Sequence, residues 1–218
     1  MPIPDEEINK KIDDRIAKVV PGYLKTSAFT DRKLTDTPTD DLQVVNKKYC
    51  DGRNSLEVFI PSEAMNPTTT AGCAALAKVE AGTNDVDYWV LDFDTTTAES
   101  CFFTLRMPDN WDGGTVTFQF IWTNAGGGST ETVDWSVKGR AYADSDAIDQ
   151  AYGTEITTTD TWLAQNDIHL SAESAAVTLA GTPAAGQWAQ FKITRKVSTD
   201  NLTGDARLIG IRLKYGIV

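Results

Sequence analysis

The chain has 218 residues and a formal net charge of −11, from 31 acidic and 20 basic side chains, a size that suits one full domain plus an extension. So acidic a surface repels phosphate backbones and excludes nucleic-acid binding as an expected role. No apolar run approaches the ~20 residues that span a bilayer, and Met1 to Glu7 carries neither the basic nor the apolar stretch of a signal peptide, so the expectation is a soluble protein made in the cytosol, without membrane insertion.

The charge divides the chain. Residues 1–55 hold ten basic and ten acidic side chains, whereas 56–218 hold ten basic and twenty-one acidic, so the whole net charge falls on the second part. Asp5, Glu6 and Glu7 open a predicted helix over about residues 5–20, with acids at the positive end of the helix dipole. Ile8, Ile12, Ile16 and Val19 recur at spacings of three and four and form one apolar stripe. Pro21 and Gly22 end it. A helix of this length, roughly 24 Å, is marginal alone in water and needs a partner. That partner is either its own β domain or else copies of itself or a larger scaffold, and self-association or scaffold docking is the expectation for this anchoring and oligomerisation arm. Ile-rich seams favour three strands over two, which points to a homotrimer.

A short second helix is expected over about residues 40–51, capped by Asp40, running through Leu42, Val45 and Tyr49, and closed by Gly52. The stretch Asp40 to Asp51 resembles a short element common in bacteriophage tail-fibre and other virion appendage proteins, which reads roughly Pro-x-x-x-x-Asp-Ala-x-x-Lys-x-Tyr-Val-Asp. This chain departs from it at Cys50, where Val is usual. The resemblance implies a position in the trimeric, particle-proximal part of a fibre.

From Leu56 onward the pattern has period two, broken by Gly, Asn, Asp and Thr turns. Trp89, Leu91 and Phe93 form one row, Cys101, Phe103, Leu105 and Met107 another. Val116, Phe118, Phe120 and Trp122 follow, then Val133, Trp135 and Val137, then Ala189, Phe191 and Ile193, and last Ile209, Ile211, Leu213 and Tyr215. Shorter strands near 56–60, 74–79 and 168–179 bring the total to about eight to ten. Apolar and polar faces alternate without a βαβ rhythm. The predicted fold is therefore mainly β: an antiparallel jelly-roll-like β-sandwich over 56–218 with a short N-terminal helical arm. Trp122 and Trp135 are expected in the core. Gly210 falls on the outer parity, where a bare backbone admits close approach by a neighbour. Arg195 and Arg207 are expected to pair with Asp200 or Asp205.

The run Met107 to Phe118, followed by Trp122-Thr123, Val133 to Trp135, the Phe191-x-Ile193-x-Arg195 pattern and Asp200 to Tyr215, resembles a module found widely in phage and prophage genomes. That resemblance implies a virion-associated or otherwise phage-encoded structural protein and supplies no activity.

Little chemistry is visible. Cys50, Cys73 and Cys101 are far apart and odd in number, and His169 alone cannot complete a Cys/His metal set. Reduced thiols are expected. His169 reads as a plain polar residue at a strand start rather than a base. Asp92 with Asp94, and Asp85 with Asp87, share strand parity, but acids are too abundant here for such pairs to imply hydrolysis. The Asp85–Asp94 stretch offers oxygen ligands for calcium but lacks the EF-hand pattern; a solvated acidic edge is the simpler reading. Gly126 to Gly128 reads as a hairpin tip. Trp111, placed in a turn, and Trp188, on the parity opposite Ala189 and Phe191, are the glycan-contact candidates, unless they fill the sandwich ends or a subunit interface. Tyr142 and Trp162 fall in irregular stretches.

No catalytic residue, cofactor or metal ligand is expected. The sequence thus points away from an enzyme and toward a phage virion structural protein: a trimeric fibre, spike or decoration protein. Its arm would attach to capsid or tail proteins while its sandwich projects outward. The alternative is a host-receptor or glycan-binding module of a tail fibre.

Overall fold

The computed structural model describes residues 54–218. The expected helices over 5–20 and 40–51, with Ile8, Ile12, Ile16, Val19 and Cys50, lie outside the described residues.

Eleven strands follow one another: β1 (Ser55–Pro61), β2 (Asn66–Pro67), β3 (Ala77–Ala81), β4 (Val86–Phe93), β5 (Ser100–Arg106), β6 (Trp111–Asn124), β7 (Thr132–Tyr142), β8 (Ile156–Thr161), β9 (His169–Leu170), β10 (Trp188–Arg195) and β11 (Ala206–Ile217). They form a six-stranded sheet in the order β3-β4-β11-β6-β9, with β1 also paired to β11, and a five-stranded sheet in the order β2-β5-β10-β7-β8. Every ladder between named strands is antiparallel. From β4 onward the chain changes sheet at each connection except the β7–β8 hairpin, a jelly-roll-like winding.

Alternation explains the layering. Val116, Phe118, Phe120 and Trp122 of β6 are fully buried, as are Val133, Trp135 and Val137 of β7 and Ala189, Phe191 and Ile193 of β10. Aromatic rings join the two sheets: Phe118 meets Phe191 edge-on at 5.5 Å and Phe120 stacks on Trp135 at 5.7 Å. Gly139 of β7 makes room for this packing, since a Cβ there would lie 2.7 Å from the Phe191 ring. On β11 the ring of Phe59 in β1 covers Gly210 so closely that a Cβ would meet it at 2.6 Å. The close neighbour expected at Gly210 is thus β1.

Two expected rows break. Trp89 is 41% exposed rather than buried with Leu91 and Phe93, because β4 pairs with β11 only through Leu91, Asp92 and Phe93 and continues beyond with β3 alone. Along β11 the register shifts between Leu208 and Gly210, so Leu208 and Ile211 both point inward and Ile209 does not. The strand expected over 168–179 is reduced to β9 and a single bridge between Val116 and Val177.

Arg195 ends the inward row of β10 and is fully buried. All five of its N–H donors are used. Nε and one terminal nitrogen reach the two Asp200 oxygens at 2.8 and 3.3 Å. The others donate to the carbonyls of Phe93 (3.0 Å), Gly204 (2.9 Å) and Leu202 (2.7 Å). The expected Arg195–Asp200 pair is present, whereas Arg207 pairs with Asp92 at 3.1 Å, directly across the β11–β4 ladder, and not with Asp205 or Asp200. Arg195→Met leaves a buried carboxylate and three carbonyls without partners. It should lower the unfolding free energy by about 3–5 kcal/mol in urea melts; a loss near zero would show that the network contributes nothing.

Candidate functional site: an aromatic face on the five-stranded sheet

The residues of β10 that alternate with its buried row are Trp188, Gln190, Lys192 and Thr194, and they face outward. Strand pairing sets their neighbours. Trp188 lies between Tyr142 of β7 and Arg106 of β5, Gln190 between Arg140 and Thr104, and Lys192 between Lys138 and Phe102. The Trp188 and Tyr142 rings are 5.0 Å apart and tilted by 44°, and Trp188 is 38% exposed.

The segment after β7 folds back on this face and fixes it. The Tyr142 hydroxyl donates to the Ile148 carbonyl at 3.0 Å. Arg140 donates to the Ala151 carbonyl at 2.8 Å and to the Gln150 side chain, and its guanidinium lies 5.4 Å from the Tyr142 ring. Tyr152 reaches across and donates to Gln190 Oε1 at 2.6 Å. Burial pushes the Tyr152 phenol up from its ordinary value, and Tyr142 adds to the effect, so the group stays a neutral donor. Glu155 lies 3.8 Å from Lys138 and 3.1 Å from Lys196. Burial raises its pKa, but the Ser136 hydroxyl and the two lysines together outweigh burial and hold it below the ordinary carboxylate value. Chemically the face offers two aromatic rings beside an amide, a phenol and cations. Such a surface suits a flat ligand with an apolar face and a hydroxyl-bearing edge.

Trp188 stands where its parity places it. Trp111 does not: it is 2% exposed, packed in the core. The turn in which its N–H bonds to the Pro108 carbonyl directs it inward at the start of β6. It is therefore not available as a contact residue. Tyr142 lies on β7 rather than in an irregular stretch. Trp162 is half-buried, its ring pressed on Gly127.

His169 is buried and stacks on Trp122 at 4.1 Å. Its Nε2 accepts the Leu163 N–H at 2.9 Å, so Nδ1 carries the proton and donates to the Asp167 carbonyl at 3.0 Å. With both nitrogens engaged it is a structural residue. The carboxylates of Asp92 and Asp94 are engaged separately. Burial raises Asp92 against the pull of Arg207, while Asp94 accepts from the Thr96 hydroxyl at 2.7 Å and from the Thr96 and Thr97 N–H groups, which lower it. Asp87 pairs with Lys78 at 2.9 Å. Among the described residues no three His, Cys, Asp or Glu side chains converge as a ligand set.

No family model matches this chain, and no curated protein matches it. Several solved structures are similar at low level. An arabinose-bound α-L-arabinofuranosidase shares 11% identity over 71% of this chain and 23% of its own, with a TM-score of 0.43. The xylan-binding domain CBM22-2 from Paenibacillus barcinonensis Xyn10C shares 14% over 72% of this chain and 98% of its own, with a TM-score of 0.41. The enzymatically active domain of tailspike protein 4 from bacteriophage CBA120 shares 13% over 76% of this chain and 19% of its own, with a TM-score of 0.33. The chain thus spans about a quarter of the arabinofuranosidase. Likeness at this level assigns neither family nor activity.

The lowered Glu155 gives a signed expectation. Its contribution to stability is present above the unfolded-state value of 4.5 and is lost as pH falls through the lower folded-state value. Glu155→Gln should melt lower than the parent at neutral pH and converge with it in acid. An unchanged gap across that range would contradict the assignment.

Proposed function

We propose that this chain is a non-catalytic glycan-binding protein of a phage virion appendage, with contact made by the outer face of the five-stranded sheet. The observation that carries the reading is the Trp188–Tyr142 ring pair, exposed beside Gln190 and Tyr152 on a face braced by the 143–155 segment. Sugars present apolar C–H faces and hydroxyl edges; the rings take the first, and Gln190, Arg106 and Lys192 the second. The phage setting is supported by the two sequence resemblances, over residues 40–51 and 107–215. In that setting the arm over residues 1–55 attaches the protein to capsid or tail and gathers it into a trimer, and several weak contacts act together on one surface.

Two experiments test this reading. On arrays of bacterial surface glycans, Trp188→Ala and Tyr142→Ala should each weaken binding about tenfold, corresponding to about 1.4 kcal/mol, with the melting temperature of Trp188→Ala unchanged. A protein that binds no glycan, or binds equally after Trp188→Ala, is not a module of this kind. Deleting residues 1–20 should leave a folded sandwich that binds the same glycan but no longer joins particles or forms a trimer; normal assembly would refute the anchoring role.

A further inference from the structure

The outer face of the five-stranded sheet carries positive charge that the rest of the domain lacks. Residues 56–218 hold twenty-one acidic and ten basic side chains, so a charge left unpaired at the surface should as a rule be negative. Yet among the described residues every Lys and Arg stands within ion-pair distance of a carboxylate except Arg140 and Lys192. Both belong to this face: Arg140 lies opposite Gln190, and Lys192, one outward position further along β10, lies opposite Lys138. Arg140 is 9% exposed, and the groups that accept from it, the Ala151 carbonyl and the Gln150 side chain, are neutral. Its charge therefore stays uncompensated. Lys192 and Lys138 set like charges directly across a ladder, an unfavourable arrangement. Glu155 relieves little of it, being shared between Lys138 at 3.8 Å and Lys196 at 3.1 Å. Hydrogen bonding runs the same way. The Tyr152 hydroxyl already donates to Gln190 Oε1, which leaves the amide N–H groups to offer, and the lysine ammoniums can only donate. The row leading from Trp188 to Lys192 is thus rich in donors and poor in acceptors, which suits an anionic oxygen better than a hydroxyl.

We infer that the glycan taken by this face is acidic, with an anionic substituent, carboxylate or phosphate, settling between Lys192 and Lys138 in the field of Arg140. The inference rests on the glycan-binding reading and narrows its ligand. Trp188 and Lys192 are four residues apart on one strand face, about 13 Å at roughly 3.3 Å per residue. The sugar stacked on the Trp188 and Tyr142 rings and the charged sugar are therefore different units of one chain, and the ligand is an oligosaccharide. A hydrogen bond from an ammonium to an anionic oxygen is charge-assisted and stronger than the neutral bond of a hydroxyl. An anion in this place also offsets the Lys138–Lys192 repulsion, so the unfavourable pair becomes an asset once the ligand is bound.

The test presents bacterial surface glycans to the full chain on one array as native, carboxyl-reduced and dephosphorylated forms. Acidic glycans should bind best, and their binding should weaken as salt is raised. Either carboxyl reduction or dephosphorylation of a bound glycan should weaken binding about tenfold, and which of the two does so names the anion. Lys192→Gln should weaken binding to the native glycan about tenfold as well, and Lys192→Glu should weaken it further. The losses from Lys192→Gln and from removal of the anion should not add, because each removes the same contact. Fully additive losses would overturn the contact. Binding to glycans that Trp188→Ala weakens, but that neither removal of the anion nor Lys192→Gln alters, would overturn the acidic ligand and leave the glycan-binding reading standing. Absence of any Trp188-dependent binding, to any form, would overturn both.

Discussion

Arg195 brings a full positive charge into a fully buried place, at the end of the sandwich where β10, β4 and the connection from β10 to β11 meet. A guanidinium there is tolerable only if every N–H has an acceptor, and each does: Asp200 takes two, and the carbonyls of Phe93, Leu202 and Gly204 take the rest. Those acceptors sit on the six-stranded sheet and on the connecting loop, while Arg195 belongs to the five-stranded sheet. The network therefore locks the position of β10 against the opposite layer. A slip of one residue along the ladder would point Arg195 to solvent and Trp188 to the core.

The consequence reaches the other end of the same strand. Trp188 opens β10 and Arg195 closes it, on opposite faces. Fixing the register through the buried end fixes Trp188 opposite Tyr142 and Gln190 opposite Arg140. The exposed aromatic pair is thus positioned by the core rather than by a mobile surface. The Tyr142, Arg140 and Tyr152 hydrogen bonds then stiffen it from the loop side. Rings already held in place lose little freedom when a ligand settles on them.

Much of this was legible in the sequence. Period-two rows located the long strands and buried Phe118, Phe120, Trp122, Trp135 and Phe191 correctly, because a sandwich with one wet face per sheet imposes that alternation. The same parity put Trp188 outside. It failed where geometry departs from a regular ladder. Trp111 reads as a turn residue, yet its turn folds it inward. Ile209 loses its place to a bulge, and Trp89 lies past the stretch that pairs with β11. Tyr142 could have been placed by extending the Val133–Val137 row five residues further. Tyr152 could not, since only the folded-back segment brings it to Gln190.

The most direct check on the account is where a bound sugar chain is felt. In an NMR titration of the isotope-labelled full chain with a soluble bacterial surface polysaccharide, the indole of Trp188 and the amides of Tyr142, Gln190 and Tyr152 should shift together and saturate together. Shifts confined to the opposite sheet, around Phe59, Ile121 and Leu170, or no shifts with any polysaccharide, would contradict it.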